Sequence, residues 1–115
     1  MGSKPTRIEI YYTAGCPNRH TTAKRVWEVL QELDLVAEVR EVKVDPKLAV
    51  PGFLGSPTVR VNGVDIEPSA QASKWTGLIW RTYREADQID GAPSNQLIRQ
   101  ALLDADASLL KTASQ

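Results

Sequence analysis

This chain has very little cysteine: Cys16 is the only one among 115 residues, and there is also a single histidine. One cysteine excludes an internal disulfide, and one cysteine with one histidine excludes a structural zinc site, although a lone thiolate can still capture a soft metal. Proteins without disulfides are typical of reducing compartments. The cysteine count therefore predicts a protein of the cytoplasm with no structural metal site.

An excess of charge of one sign and long apolar runs are also missing. Fourteen Lys and Arg residues balance fourteen Asp and Glu residues, so no net field favours nucleic acid or an anionic membrane. No apolar run approaches the roughly 20 residues that span a bilayer, and the amino terminus lacks a signal-peptide core. We therefore expect a soluble, cytoplasmic protein that binds neither nucleic acid nor membrane.

The chain is large enough for one globular domain. Apolar residues make up 42% of its 115 residues, which is sufficient for one hydrophobic core without disulfide or metal staples. We predict a single domain over residues 1–115, with flexible ends at residues 1–6 and 111–115.

Apolar spacing predicts an alternation of strands and helices. The predicted elements are a strand at 7–12, a helix at 17–33, a strand at 37–44, a short helix opening at Pro46, a hairpin with strands at 58–61 and 64–67 around Asn62-Gly63, and a helix opening at Pro93. A helix between the first two strands predicts parallel pairing, and the hairpin adds antiparallel partners. The fold class is α/β, a small mixed sheet (β-α-β-α-β-β-α) flanked by helices.

Two local patterns add further expectations. Trp27 is in phase with Val26, which predicts that its side chain is in the core. A change of apolar face between Val39 and Val42 predicts a bulge in the second strand.

The stretch 68–83 is the least regular part of the sequence. Residues 68–78 have the pattern of a loop or weak helix, and "LIWRTY", residues 78–83, that of an edge strand. Its aromatic residues Trp75, Trp80 and Tyr83 either line a groove beside Cys16 or pack beneath a loop. The pattern leaves both readings open.

The segments around Cys16 and Pro57 resemble those of thioredoxin-like proteins. "GCPN", residues 15–18, follows the first strand, and "GSPT", residues 55–58, precedes the hairpin. The chain is similar to small bacterial thioredoxin-like proteins of unassigned function, which share these segments and a late "G.P...LI..AL" helix, here residues 91–102. The resemblance implies the thioredoxin-like fold, a reactive thiol at Cys16 and a cis-proline at Pro57 opposite it.

The resemblance does not extend to a second thiol. Thioredoxins and dithiol glutaredoxins have a cysteine three residues after the first, where this chain has Arg19. The small bacterial proteins often have one in the segment matching "GLIWRTY", where this chain has Ile79 and Trp80. Dithiol reductase activity is therefore not expected. The resemblance implies a monothiol exchange between Cys16 and glutathione or a partner protein, with glutathione as co-substrate and no other cofactor.

Residues beside Cys16 have side chains suited to support a thiolate. Pro17 suits the first turn of the predicted helix, whose free N–H groups and dipole would favour the thiolate. Arg19 would stabilise the thiolate or hold a substrate carboxylate, and His20 would do likewise or donate a proton to a leaving thiolate. By resemblance, Ser56, Pro57 and Thr58 form the substrate-binding segment, in which the backbone of Ser56 pairs with glutathione.

Plainer interpretations stay open for each of these residues. A free cysteine is most often a small buried hydrophobe, and Arg19 and His20 are equally consistent with solvated side chains. Pro57 also fits a trans proline that starts a strand. Besides monothiol exchange, the sequence allows a non-catalytic binding module for a peptide, a partner protein or a soft metal, and a homodimer joined through Cys16.

Overall fold

The structure is a computed structural model that describes residues 6–45, 55–67, 83–85 and 88–113. Within these ranges the elements are β1 (Thr6–Tyr12), α1 (Arg19–Leu33), β2 (Ala37–Lys43), β3 (Thr58–Val61), β4 (Val64–Asp65), β5 (Tyr83–Glu85), β6 (Gln88–Asp90) and α2 (Asn95–Ala113). The predicted α/β class is confirmed by this mixture of helices and strands. None of the described helices is long and apolar enough to cross a bilayer.

Four of the strands form one mixed sheet in the order β2-β1-β3-β4. β1 pairs with β2 in parallel and with β3 in antiparallel, as the helical crossover and the hairpin predict. The predicted bulge is wrong, because β2 keeps an unbroken register with β1 through Val39 and Val42. Both valines are half-buried, and the regular strand places them on opposite faces of the sheet.

The predicted hairpin between β3 and β4 is confirmed. Asn62 and Gly63 have φ values of 52° and 83°, the left-handed pair that a tight hairpin turn requires. The turn is also tied to β1, because the Arg7 N–H donates to Asn62 Oδ1 at 2.9 Å and the Asn62 N–H donates to the Arg7 carbonyl at 2.7 Å. These bonds fix the end of the sheet opposite to Cys16.

The hydrophobic core lies between one face of this sheet and the two helices. Its fully buried members include Ile8, Ile10, Val59 and Val61 from the sheet, Val26, Val29 and Leu30 from α1, and Ile98 and Leu102 from α2. The helices run side by side in the same direction, because the Arg99 guanidinium pairs with Glu32 and the Asn95 amide lies 3.5 Å from Glu28. Both helices therefore cover the same face of the sheet.

The prediction that Trp27 belongs to the core is wrong. Its side chain is 52% exposed, whereas neighbouring Val26 is fully buried. The buried face of α1 is a narrow stripe through Thr22, Val26, Val29 and Leu30. One position along the helix is a rotation of about 100°, so Trp27 falls outside that stripe.

The element boundaries differ slightly from those that the sequence predicts. α2 begins at Asn95 rather than at Pro93, because Ser94 caps it: the Ser94 Oγ accepts the Leu97 N–H at 3.1 Å. Proline directly before such a cap precedes the helix instead of opening it. Thr6 already pairs in β1, and α2 continues to Ala113, so regular structure extends into both predicted ends.

Part of the predicted organisation lies outside the described residues. This applies to the short helix opening at Pro46, to the stretch 68–82, and to the tryptophans Trp75 and Trp80. Of the predicted edge strand at 78–83 only Tyr83 is described, where it begins β5. β5 pairs antiparallel with β6 in a two-stranded sheet, which the sequence pattern did not predict.

Candidate functional site around Cys16

Cys16 lies in a tight turn that follows the carboxyl end of β1. The Cys16 N–H donates to the Thr13 carbonyl at 3.1 Å, and Gly15 has φ 76°, the left-handed value needed at the third position of a type II turn. The Cys16 side chain is a free thiol of intermediate exposure. The turn therefore presents the thiol at the surface, and the reading of Cys16 as a fully buried hydrophobe does not apply.

The helix after Cys16 begins later than the sequence predicts. Its first residue is Arg19 and its N-cap is Asn18, while Pro17 is exposed in the preceding turn. The Asn18 carbonyl accepts the first helical hydrogen bond, from the Thr22 N–H at 3.0 Å. Cys16 thus lies two residues before the cap, and the field of a helix end falls off within its first turn. Nearby side chains are therefore the more direct source of positive charge.

A shallow cleft of about 290 Å³ opens beside Cys16. It is lined by Tyr12, Thr13, Ala14, Gly15, Cys16, Arg19, His20 and Lys43. Three of these lining residues are basic and none is acidic. The cleft therefore combines an accessible thiol with an excess of positive charge, which suits a thiolate or an anionic ligand.

Arg19 is held at the wall of the cleft by two partners. Its Nε lies 3.1 Å from Glu41 Oε1, and its guanidinium carbon lies 3.9 Å from the centroid of the Tyr12 ring. The side chains of Arg19 and Glu41 are each about one-third exposed (35% and 37%). The charge of Arg19 is thus balanced by Glu41, and its planar group is fixed by stacking on Tyr12.

Lys43 is a lining residue that sequence reasoning did not select. It is exposed at the carboxyl end of β2, in register with Tyr12 at the carboxyl end of β1. Because parallel strands bring their carboxyl ends to the same edge of a sheet, this placement follows from the predicted parallel pairing. The charged residue near the end of the second strand was therefore the available signal, although the predicted strand ended one residue later, at Val44.

The segment around Pro57 lies beneath the Cys16 turn rather than in the cleft. The Ser56 Oγ accepts the Thr13 N–H at 3.0 Å, and Ser56 is only 1% exposed. The Ser56–Pro57 peptide bond is cis, and Pro57 and Thr58 are fully buried. None of these three residues lines the cleft. In this structure the segment supports the turn that carries Cys16.

Tyr83 fixes the same segment from the other side. Its side chain is fully buried, and its hydroxyl donates to the Pro57 carbonyl at 2.5 Å. Of the two readings of Tyr83, a wall of the Cys16 groove or a packed residue, the structure shows the packed residue. Its hydroxyl satisfies a carbonyl that is buried next to the turn.

The segment before α2 packs against the start of α1. A Cβ atom at Gly91 would overlap the side-chain amide of Asn18, so the two residues are in close contact. Arg25 Nη1 donates to the Pro93 carbonyl at 2.9 Å. The three sequence segments that carry the thioredoxin-like resemblance thus meet around the Cys16 turn.

The site contains no metal-ligand cluster within the described residues. No group of three or more His, Cys, Asp or Glu side chains lies close enough there to hold an ion.

Searches of protein-family models, of curated proteins and of solved structures found no match to this chain.

Proposed function

We propose that this chain is a thioredoxin-like protein that acts through the single thiol of Cys16, by exchange with disulfides of glutathione or of a partner protein. One observation carries the proposal: Cys16 is accessible in a cleft whose charged lining residues, as far as the structure describes them, are all basic. A basic lining attracts anionic ligands to the cleft, and the thiolate of a cysteine is the form that attacks disulfides.

The arrangement of the strands supports the thioredoxin-like part of the proposal. The order β2-β1-β3-β4, with a parallel first pair and an antiparallel hairpin, agrees with the element order that the resemblance implies. The cis bond before Pro57 agrees with it as well. A chain without an internal disulfide is suited to the reducing cytoplasm, which we propose as its location.

The proposed reaction has two steps of thiol–disulfide exchange. In the first, the Cys16 thiolate attacks one sulfur of a disulfide, the old S–S bond breaks, and the released thiolate takes a proton. In the second, the thiolate of glutathione attacks the mixed disulfide and restores the Cys16 thiolate, leaving the substrate sulfur bound to glutathione. Each step exchanges one S–S bond for another, so no further oxidant or reductant is needed.

The neighbouring side chains have distinct roles in this scheme. His20 is exposed at the cleft and would donate the proton to the leaving thiolate. Arg19, whose charge is balanced by Glu41, would fix the wall of the cleft by stacking on Tyr12 rather than bond to the substrate. Ser56 is 1% exposed, so the backbone pairing with glutathione that the resemblance implies requires this segment to open. We therefore assign Ser56 and Pro57 mainly to support of the Cys16 turn.

A non-catalytic binding module is the second candidate, and one observation favours it. The chain has no other cysteine that could release a partner from Cys16. In that case the mixed disulfide would be a stable product, and the cleft would hold a peptide, a partner protein or a soft metal. The two candidates differ in turnover and not in the first chemical step.

Intact mass after treatment with oxidised glutathione tests the shared first step. We expect one glutathione per folded chain, removed by dithiothreitol and absent from Cys16→Ser. A disulfide-linked dimer on a non-reducing gel would show that Cys16 instead pairs with a second copy. If folded protein gains no glutathione while unfolded protein is alkylated fully, Cys16 is not a working thiol and the proposal fails.

Turnover separates the two candidates. If the chain is an enzyme, excess reduced glutathione and a small mixed disulfide should give continuous thiol release at a rate proportional to protein concentration. The binding module predicts a single stoichiometric burst, with the adduct persisting on Cys16. His20→Gln should slow the release and leave the stoichiometry of the adduct unchanged.

A further inference from the structure

The positive charge around Cys16 is unevenly neutralised. Arg19 is paired with Glu41 at 3.1 Å, whereas Lys43, on the same strand as Glu41, makes no ion pair with any residue that the structure describes. Asp45, two residues further on, does not line the cleft. The lysine ammonium is therefore the uncompensated full charge in the described lining.

A residue that lines the cleft also has an unused polar group. Thr13 is 3% exposed, and its buried Oγ1 has no hydrogen-bond partner among the residues that the structure describes. A buried hydroxyl without a partner is unusual in proteins and points to a missing acceptor or donor. Because that oxygen is itself buried, the exposed Lys43 ammonium, and not the hydroxyl, is the group in the described lining that a ligand in the cleft would meet.

We propose that Lys43 makes this cleft selective for disulfides that carry a carboxylate close to the reacting sulfur. The inference rests on the proposed thiol exchange at Cys16 and adds to it the class of substrate. The carboxylate lies against the Lys43 ammonium while Cys16 attacks the neighbouring sulfur by the exchange step described above. It belongs either to a small anionic thiol compound or to an acidic residue next to the cysteine of a partner protein.

The competition between Glu41 and a substrate carboxylate explains why Lys43 rather than Arg19 is assigned this role. Arg19 already has a carboxylate partner and an aromatic surface under its guanidinium, so a ligand would have to displace Glu41. Lys43 has no such partner to displace among the residues that the structure describes. Its long stem allows the ammonium to follow ligands of different length.

Three small disulfides of similar size test the proposal: dithiodipropionate with two carboxylates, bis(hydroxyethyl) disulfide without charge, and cystamine with two ammonium groups. The quantity measured is the rate constant of adduct formation at Cys16, expressed relative to the neutral disulfide. This ratio cancels any change in the thiolate fraction, because that fraction enters every rate equally. We expect the order anionic, neutral, cationic, with the anionic preference decreasing as salt is added.

Lys43→Glu is the decisive variant, and Lys24→Glu is its matched control. Lys24 is exposed on α1 and does not line the cleft, so both variants change the net charge equally. We expect Lys43→Glu to lower the anionic-to-neutral ratio about tenfold, since attraction is replaced by repulsion at a partly exposed site. Lys24→Glu should change the ratio by less than about twofold.

A peptide disulfide distinguishes the two sources of the carboxylate. A cysteine flanked by glutamates, compared with the same peptide flanked by glutamines, should show the anionic preference if the substrate is a protein. A preference only for the small anionic disulfide would assign a small thiol compound. Both results support the charge selectivity and differ in the source.

Two other outcomes would overturn the inference, and they are distinguishable. If folded Cys16 reacts with all three small disulfides at ratios that Lys43→Glu leaves unchanged, the proposed thiol exchange stands and the charge selectivity fails. If Cys16 reacts with none of them, the proposed function itself fails and the selectivity fails with it.

Discussion

Two segments meet at the same end of the sheet and differ in almost every physical respect. In and directly after the Cys16 turn, Ala14, Gly15 and Pro17 are exposed and Cys16 is half-buried. In the Pro57 segment, Ser56 is 1% exposed and Thr58 is fully buried. The first segment presents a reactive group to solvent, and the second holds it in place through the hydrogen bond between Ser56 Oγ and the Thr13 N–H.

The difference indicates how a chain with one thiol can keep that thiol accessible and still hold it in a defined position. A loop at the surface loses order easily, because few buried contacts oppose its conformational entropy. Here the turn has a hydrogen bond of its own, from Cys16 to Thr13, and rests on a buried segment whose polar groups are paired. Stability and reactivity are thus divided between the two segments, and mutations should separate them.

The largest effect on stability is expected from Tyr83→Phe. It removes the donor to the Pro57 carbonyl, and an acceptor that is left buried without a partner costs about 1–3 kcal/mol. Tyr12→Phe is the matched control, because Tyr12 is only half-buried and its ring remains available to Arg19. Urea unfolding should show a clear loss of unfolding free energy for the first and less than about 0.5 kcal/mol for the second.

Equal losses for the two tyrosine variants would remove the contrast between the segments. Such a result would mean that the buried hydroxyl of Tyr83 contributes no more than a surface hydroxyl. The Pro57 segment would then have to be held by packing alone.

A smaller effect, about 1 kcal/mol, is expected from Ser56→Ala. The Thr13 N–H then loses its acceptor while remaining buried. Hydrogen exchange at the Thr13 amide should accelerate, which reports on the turn and not only on global stability. His20→Ala, at an exposed position on α1, should leave both the unfolding free energy and this exchange rate close to those of the parent.

Unchanged exchange at the Thr13 amide in Ser56→Ala would contradict the supporting role of Ser56. Faster exchange together with a changed rate of Cys16 alkylation would show that the buried segment also tunes access to the thiol. The second result would connect the two segments functionally.

The sequence predicted the α/β architecture well because its signals are local. Alternation marks β1, the helical stripe marks α1, and Asn62-Gly63 marks the hairpin turn. The position of Cys16 after β1 also follows from this pattern. A helix between two strands then fixes their parallel pairing, so the edge of the sheet on which Cys16 lies was predictable.

The parts that the sequence did not predict depend on contacts between distant segments. The burial of Ser56 requires its bond to Thr13, 43 positions away, and the exposure of Trp27 depends on which side α2 occupies. Lys43 enters the cleft only because β2 pairs in register with β1. Local periodicity contains none of this information.

The smallest effect, and one of opposite sign, is expected from Thr13→Val. The Thr13 Oγ1 is buried without a hydrogen-bond partner in the described part of the chain, so a methyl group of the same size should be neutral or stabilise the protein by up to about 1 kcal/mol. Thr58→Val is the matched substitution in the buried segment, where Oγ1 donates to the Gly55 carbonyl at 2.6 Å. It should be destabilising by about 1–2 kcal/mol, because it leaves that carbonyl unpaired. Thermal unfolding of the two valine variants measures both values, and a loss for Thr13→Val as large as that for Thr58→Val would show that the Thr13 hydroxyl already has a partner.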